Sequence, residues 1–299
     1  MFKMLKYGFK TNIINYVYKM KFDINCSLSY ETYTPTVFIL NIQPIISENQ
    51  TIISEDIKIS ENLNCIPFEY LSFRYLKISV PTDFSFTISY NALVNVDHFL
   101  FEKKDLKEIK DFPNFPPDVL PYLYPSRHCE SDKLVLFAKK EFGKIETIFS
   151  KVIAINDWVH NAIDYNYGTT TSSTSACDTI IQCQGVCKDF AHLAIAFCRA
   201  LDIPARYFTA YACGLIPPDI HACFEAYING NWILFDPTKL ASLNGMVKIA
   251  HGKDATEAAV ASYFGEAYCT SMEISCLPNN GNFIPHKTVK NKIVGFAYL

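Results

Sequence analysis

Apolar and polar residues alternate strictly over residues 22–30, FDINCSLSY, where Phe22, Ile24, Cys26, Leu28 and Tyr30 share one side. The same period of two recurs at 84–90, FSFTISY, and in shorter runs at 37–42, 57–59 and 71–80. Successive side chains of a strand point to opposite faces, so each run predicts a strand with one dry and one wet face. With no helical period between them up to about residue 97, these strands predict an antiparallel sheet or sandwich.

Residues 112–125, FPNFPPDVLPYLYP, hold five prolines and predict an extended connector that no helix crosses. Beyond it the period becomes helical. Ser131 is placed to N-cap a helix running through Phe142 and stopped by Gly143. Ile145, Ile148, Phe149, Val152, Trp158 and Val159 continue as a second helix ending near Tyr165, and 166–182, rich in Gly, Thr and Ser, reads as a loop. Phe190, Leu193, Phe197 and Leu201 form the apolar stripe of a third helix, which ends before Ile203-Pro204. Residues 205–212 read as a strand and 221–238 as a hairpin turning at Asn229-Gly230. The organisation expected is a tail or over-extended start at 1–19 (with Met20 as first residue), a β-rich domain at 20–105, a Pro-rich connector at 106–129 and an α+β domain at 130–299.

Composition narrows the function. A formal charge of -3 over 299 residues gives no electrostatic footprint for nucleic acid or an anionic membrane. No apolar run approaches the ~18 residues that span a bilayer, and the first twenty residues carry no secretory pattern, so a cytoplasmic location is expected. The eleven cysteines include no C-x-x-C pair and are expected to be reduced thiols. Glycine-rich phosphate loops and an EF-hand calcium loop are absent, and no cofactor is implied.

One cysteine stands apart. In QGVCKDFAHL, residues 184–193, Cys187 follows the turn residue Gly185 and falls at the start of the third helix. Unpaired N–H groups and the positive end of the helix dipole converge there and favour a thiolate; a small buried core thiol is the alternative. A nucleophilic cysteine needs a base, and the base needs an orienting group. His221 opens one hairpin strand and Asp236 closes the other, so the two meet at the hairpin's open end. If the third helix packs on that end, Cys187, His221 and Asp236 form a triad. Gln182, Gln184 and Tyr165 are candidates for the oxyanion donor or the acyl pocket. Asp189 complements the helix start, His192 reads as structural, and Glu225 as a salt-bridge partner. A competing reading is a zinc site of Cys177, Cys183, Cys187 and His192.

These blocks, GVCKDFAHL, HACFE and NWILFDPT, closely resemble the core of the transglutaminase-like superfamily in its bacterial branch. YLYPSRHCESD, TSSTSACDT and HGKDATEAA resemble neighbouring blocks, and the alternating strands resemble the β-rich domain that precedes this core. The resemblance covers most of residues 20–299. It implies a papain-like fold, with Cys187, His221 and Asp236 as catalytic Cys, His and Asp. It implies a hydrolase of peptide or side-chain amide bonds working through a thioester, or else a crosslinking acyltransferase. A binding module that kept the fold without the chemistry is the reading from another class. The partner implied is a peptide or protein substrate. Three positions depart from the family pattern: Lys188 where Gln is usual, Cys223 where Trp is common, and Lys239 where Asn commonly follows the DPT.

Overall fold

The computed structural model describes residues 16–60, 62–102, 115–279, 283–286 and 294–298. The expected tail therefore lies outside the described residues up to residue 15, as do the end of the expected β-rich domain from 103 to 105 and the expected connector from 106 to 114.

Six strands open the chain: β1 (Tyr16–Thr32), β2 (Thr36–Leu40), β3 (Gln50–Ile59), β4 (Asn64–Tyr70), β5 (Phe73–Val80) and β6 (Phe84–Glu102). The period of two does what it predicts. Phe22, Ile24, Cys26, Leu28 and Tyr30 are all buried, and β1 pairs antiparallel with β6 so that Cys26 opposes Tyr90 and Leu28 opposes Ile88. The outer face carries cross-strand polar pairs, such as Ser29 with Thr87 at 2.8 Å. Phe38 of β2 packs between Tyr30 and Phe86 at 4.9 and 5.2 Å and joins the second sheet to the first. β1 begins before Met20, with Tyr16 opposite Leu100.

The helices follow: α1 (Val135–Phe142), α2 (Ile148–Ala162), α3 (Ala176–Gln182) and α4 (Cys187–Ala200), with the short β7 (Asp164–Tyr165) and β8 (Gln184–Gly185) between them. Two helix boundaries differ from expectation. Ser131 starts a separate 3-10 turn instead of capping α1, because its carbonyl is taken by the Leu134 N–H at 3.2 Å. α2 stops at Ala162 because Asp164 and Tyr165 bridge in parallel to Gln184 and Gly185. The segment read as a loop contains α3, started by a reciprocal cap between Ser175 and Asp178. α4 is buried on every side from Asp189 to Ala200. Its alanines at 191, 194, 196 and 200 let neighbours close in, and Phe197 takes the rings of Phe137, Phe142 and Trp158 within 5.5 Å.

Beyond α4 come β9 (Ala205–Ala212), β10 (Ile220–Ile228), β11 (Asn231–Phe235), β12 (Met246–Gly252), α5 (Ala255–Ala258), β13 (Ala261–Phe264), β14 (Ala267–Pro278) and β15 (Val294–Ala297). The β10–β11 hairpin turns at Asn229 and Gly230, both at positive φ. Strand order in the large sheet is β12-β9-β10-β11-β15-β6-β1-β14, with β3 also on β6. The small sheet runs β13-β2-β5-β4. Strands from the end of the chain thus complete sheets begun at its start, and β15 joins β11 to β6. Buried Gln50 ties β3 directly to β12: its amide donates to the Ile45 and Lys248 carbonyls and accepts from the Lys248 N–H. The arrangement is α+β, with a central helix packed on antiparallel strands. Among the described residues no helix is long and apolar enough to cross a membrane.

Candidate active site

The start of α4 is built by Gly185 and Asp189. The Asp189 carboxylate reaches back to the Val186 N–H at 2.9 Å, one half of a capping box. A Cβ on Gly185 would lie 2.7 Å from the Asp189 side chain, so only glycine admits that carboxylate. Val186 has no side-chain acceptor to return the bond, which leaves the first N–H groups of α4 available to other partners. The Cys187 N–H and the Tyr165 hydroxyl lie close together at the site. Cys187 itself is half-buried.

The imidazole comes from the far side. His221, in the first residues of β10, lies beside the Cys187 thiol, which helps to raise the imidazole. Its Nε2 faces Asp236 Oδ2 at 3.1 Å. That leaves Nδ1 as the nitrogen for sulfur. Asp236 lies just past β11, opposite Cys223 by continuation of the register that pairs Phe224 with Phe235. Its Oδ1 accepts from the Thr238 N–H at 2.9 Å and the Thr238 hydroxyl at 2.7 Å, and its Oδ2 also accepts from the Ala241 N–H at 3.1 Å. The aspartate of the Asp-Pro-Thr turn is therefore both turn-former and ring-holder.

Electrostatics follow from burial and pairing. Burial alone would keep His221 neutral, but the Asp236 carboxylate outweighs it and holds the imidazole well above its ordinary range. Burial likewise works against the Asp236 charge, and His221 with the Thr238 and Ala241 donors overcomes it, placing the carboxyl below its usual range. The pair is an imidazolium–carboxylate at neutral pH. Cys223, on the same strand two residues from His221, is fully buried within hydrogen-bond reach of the ring. Burial and the neighbouring carboxylate push its thiol up to about 12, so it stays protonated.

The other sequence candidates divide. Tyr165 is brought to Cys187; its ring packs on Phe190 and Tyr167. Gln184 is half-buried, and its side chain accepts from Asn166 at 3.3 Å. Gln182 ends α3 exposed, with no hydrogen bond to Cys187, His221 or Asp236 among the described residues. The zinc set is not assembled. His192 Nε2 already accepts the Ala255 N–H, and Cys183 is exposed at the left-handed end of α3. Lys188, a departure from the family pattern, turns its ammonium away into Thr170, Thr171 and Asp189. Lys239 has φ of 57°, a left-handed conformation that asparagine tolerates better, and its ammonium meets Asp157 at 2.6 Å. Glu225 is fully buried in ion pairs with Arg206 and Lys248. Thr238 was not singled out by sequence reasoning. An Asp followed two residues later by a hydroxyl is the signal for the side-chain turn it makes.

Comparison with known proteins adds the family context. The profile of the transglutaminase-like superfamily matches residues 137–237, which contain Cys187, His221 and Asp236. The profile of the bacterial transglutaminase N-terminal domain matches residues 20–112. A candidate cysteine protease from Cytophaga hutchinsonii has a crystal structure that is 45% identical, with a TM-score of 0.91. That match covers 95% of this chain and 100% of the other. An uncharacterized protein of Mycobacterium leprae is 30% identical over 146 residues, 46% of this chain and 52% of its own length. One of Mycobacterium tuberculosis is 38% identical over 60 residues, 20% of this chain and 19% of its own. The chain thus spans about half, or less, of the length of these curated relatives.

Proposed function

The chain belongs to the transglutaminase-like superfamily, and from that footing we propose that it is a cysteine-dependent hydrolase of peptide or side-chain amide bonds. One observation carries the reading: a single imidazole, paired with a buried aspartate at 3.1 Å, lies beside a thiol at the start of a buried helix. The 45% identical candidate cysteine protease supports hydrolysis over transfer.

The steps follow from these positions. Cys187 sulfur attacks the amide carbonyl while His221 Nδ1 holds the proton. The carbonyl oxygen becomes an oxyanion at the start of α4, where the Cys187 N–H and the Tyr165 hydroxyl converge. His221 then gives its proton to the departing amine, leaving a thioester. Water, deprotonated by the now neutral His221, resolves the thioester. Asp236 keeps Nε2 protonated throughout and offsets the ring's charge. Its own charge is fixed by three donors besides the ring.

The direct test is mass spectrometry of the chain incubated with a peptide library, with and without a primary amine. Cleavage or deamidation in both arms is the expected result; products formed only when amine is present would make it an acyltransferase instead. Tyr165 has its own test. Tyr165→Phe keeps the ring contacts and removes the hydroxyl, so kcat should fall by about 10²-fold with KM little changed. An unchanged kcat would reduce Tyr165 to packing against Phe190 and Tyr167.

A further inference from the structure

His221 is shared by a second thiol, that of Cys223, which stands where tryptophan is common in the family pattern. The ligating atoms of His221, Cys223 and Asp236 all lie within 4.8 Å of one another, and all three residues are buried. Among the described residues no other such group of histidine, cysteine and carboxylate occurs. A tetrahedral zinc ion with bonds of about 2.0–2.3 Å sets its ligand atoms roughly 3.2–3.8 Å apart. Nε2 and Oδ2 lie 3.1 Å apart, just under that spacing, and with the sulfur within 4.8 Å of both the three donors reach it by shifts of about an ångström or less. The Asp236 carboxylate is held from behind by Thr238 and Ala241, the kind of outer support that metal-binding carboxylates have. The only bond a cation must replace on Oδ2 is the one to His221.

We propose that His221 Nε2, Cys223 Sγ and Asp236 Oδ2 form a site for a thiophilic divalent cation of the zinc type, and that its occupancy inhibits the enzyme. Binding exchanges protons for metal. The imidazolium loses its Nε2 proton and the Cys223 thiol loses its own, so one dication enters and two protons leave. Cys187 lies on the Nδ1 side and stays outside the site. The metallated ring keeps its Nδ1 proton, and giving that proton to a leaving amine would create an imidazolate on the metal. That is a far poorer outcome than the neutral ring formed in the free enzyme, so the acid step fails. The inhibition rests on the catalytic reading above; the binding does not.

The experiment uses the full chain, stripped of metal and titrated with Zn²⁺ against a chromophoric chelator. The coordination of the tightest ion is then read by X-ray absorption. One ion per chain is expected, held by one sulfur and nitrogen or oxygen donors. Cys223→Ala and Cys223→Ser should each weaken it by at least the ~10–100-fold that loss of an outer partner costs. Cys187→Ala should bind as tightly as the parent chain. A sulfur count of zero or of two or more, undiminished affinity in the Cys223 variants, or loss of binding in Cys187→Ala would overturn the site. If both Cys223 variants fail to fold, the sulfur count on the parent chain decides. Because binding is read without substrate, a chain that binds Zn²⁺ but hydrolyses nothing defeats the catalytic reading and not this one.

Discussion

Cys187→Ala is expected to abolish amide hydrolysis, lowering kcat on the order of 10⁴-fold or more, while the protein remains folded. The size of the loss follows from the lack of a substitute. Cys223 also touches His221, but it is fully buried and its thiol remains protonated at neutral pH. The other cysteines that solvent reaches freely, Cys183 and Cys269, lie at a helix end and in β14 with no imidazole contact among the described residues. The small cost in stability has an equally local cause. The Cys187 side chain is half-exposed, so its truncation opens no closed cavity, and the helix start is held by Asp189 on the Val186 N–H. A change within about 1–2 kcal/mol is expected from thermal unfolding. Hydrolysis retained in the alanine variant would remove Cys187 as nucleophile, and a collapse of the melting transition would show that it holds the core together.

The fold class was legible in the sequence, and so was the meeting of three candidate side chains, but several elements were not. Cys187, His221 and Asp236 were legible because local signals place each one: a glycine turn before a helical stripe, and a hairpin whose Asn229-Gly230 turn fixes which residues face each other. The β9 strand and the hairpin strands were legible for the same reason. α3 was not read, although Ser175 and Asp178 have capping-box spacing, because its seven residues sit among Gly, Thr and Ser and carry no apolar stripe. β12 is buried on both faces, so MVKIAHG shows no alternation to mark it as a strand. β14 fails in the opposite way. It lies at the end of the large sheet with Tyr268, Met272 and Leu277 exposed, so its apolar residues do not point to a core. What fixes β14 is pairing with β1, Ile274 opposite Cys26, across a separation in sequence that no local period encodes. Cys223 was legible as a departure from the family pattern. Its position beside the imidazole follows from the two-residue spacing on one strand, which places it on the same side as His221.

Asp236→Asn should lower kcat by about 10²–10⁴-fold with the fold retained, and the reason is the direction of the hydrogen bonds. Thr238 gives two donors to Oδ1, while Ala241 and His221 give two to Oδ2. An asparagine that keeps its oxygen on the Thr238 side turns its NH₂ toward the Ala241 N–H and His221 Nε2. The ring can avoid a donor–donor clash only by losing the Nε2 proton and carrying its proton on Nδ1, where it can no longer accept one from Cys187. The same variant changes how stability depends on pH. The folded pKa of His221 is raised, so its contribution is complete below the unfolded value of about 6.5 and is lost as pH rises through the folded value. The folded pKa of Asp236 is lowered, so its contribution is complete above about 3.9 and is lost as pH falls through the folded value. Both are present together between about pH 4 and 6.5. There the parent protein should exceed Asp236→Asn in unfolding free energy by on the order of 3 kcal/mol, as for a broken buried ion pair. The gap should narrow on the alkaline side as the imidazolium deprotonates. Denaturant unfolding of the two proteins at a series of pH values measures it. A gap that stays constant into the alkaline range would mean that His221 is not held as an imidazolium by Asp236, and the acid–base cycle drawn from that charge would fall with it.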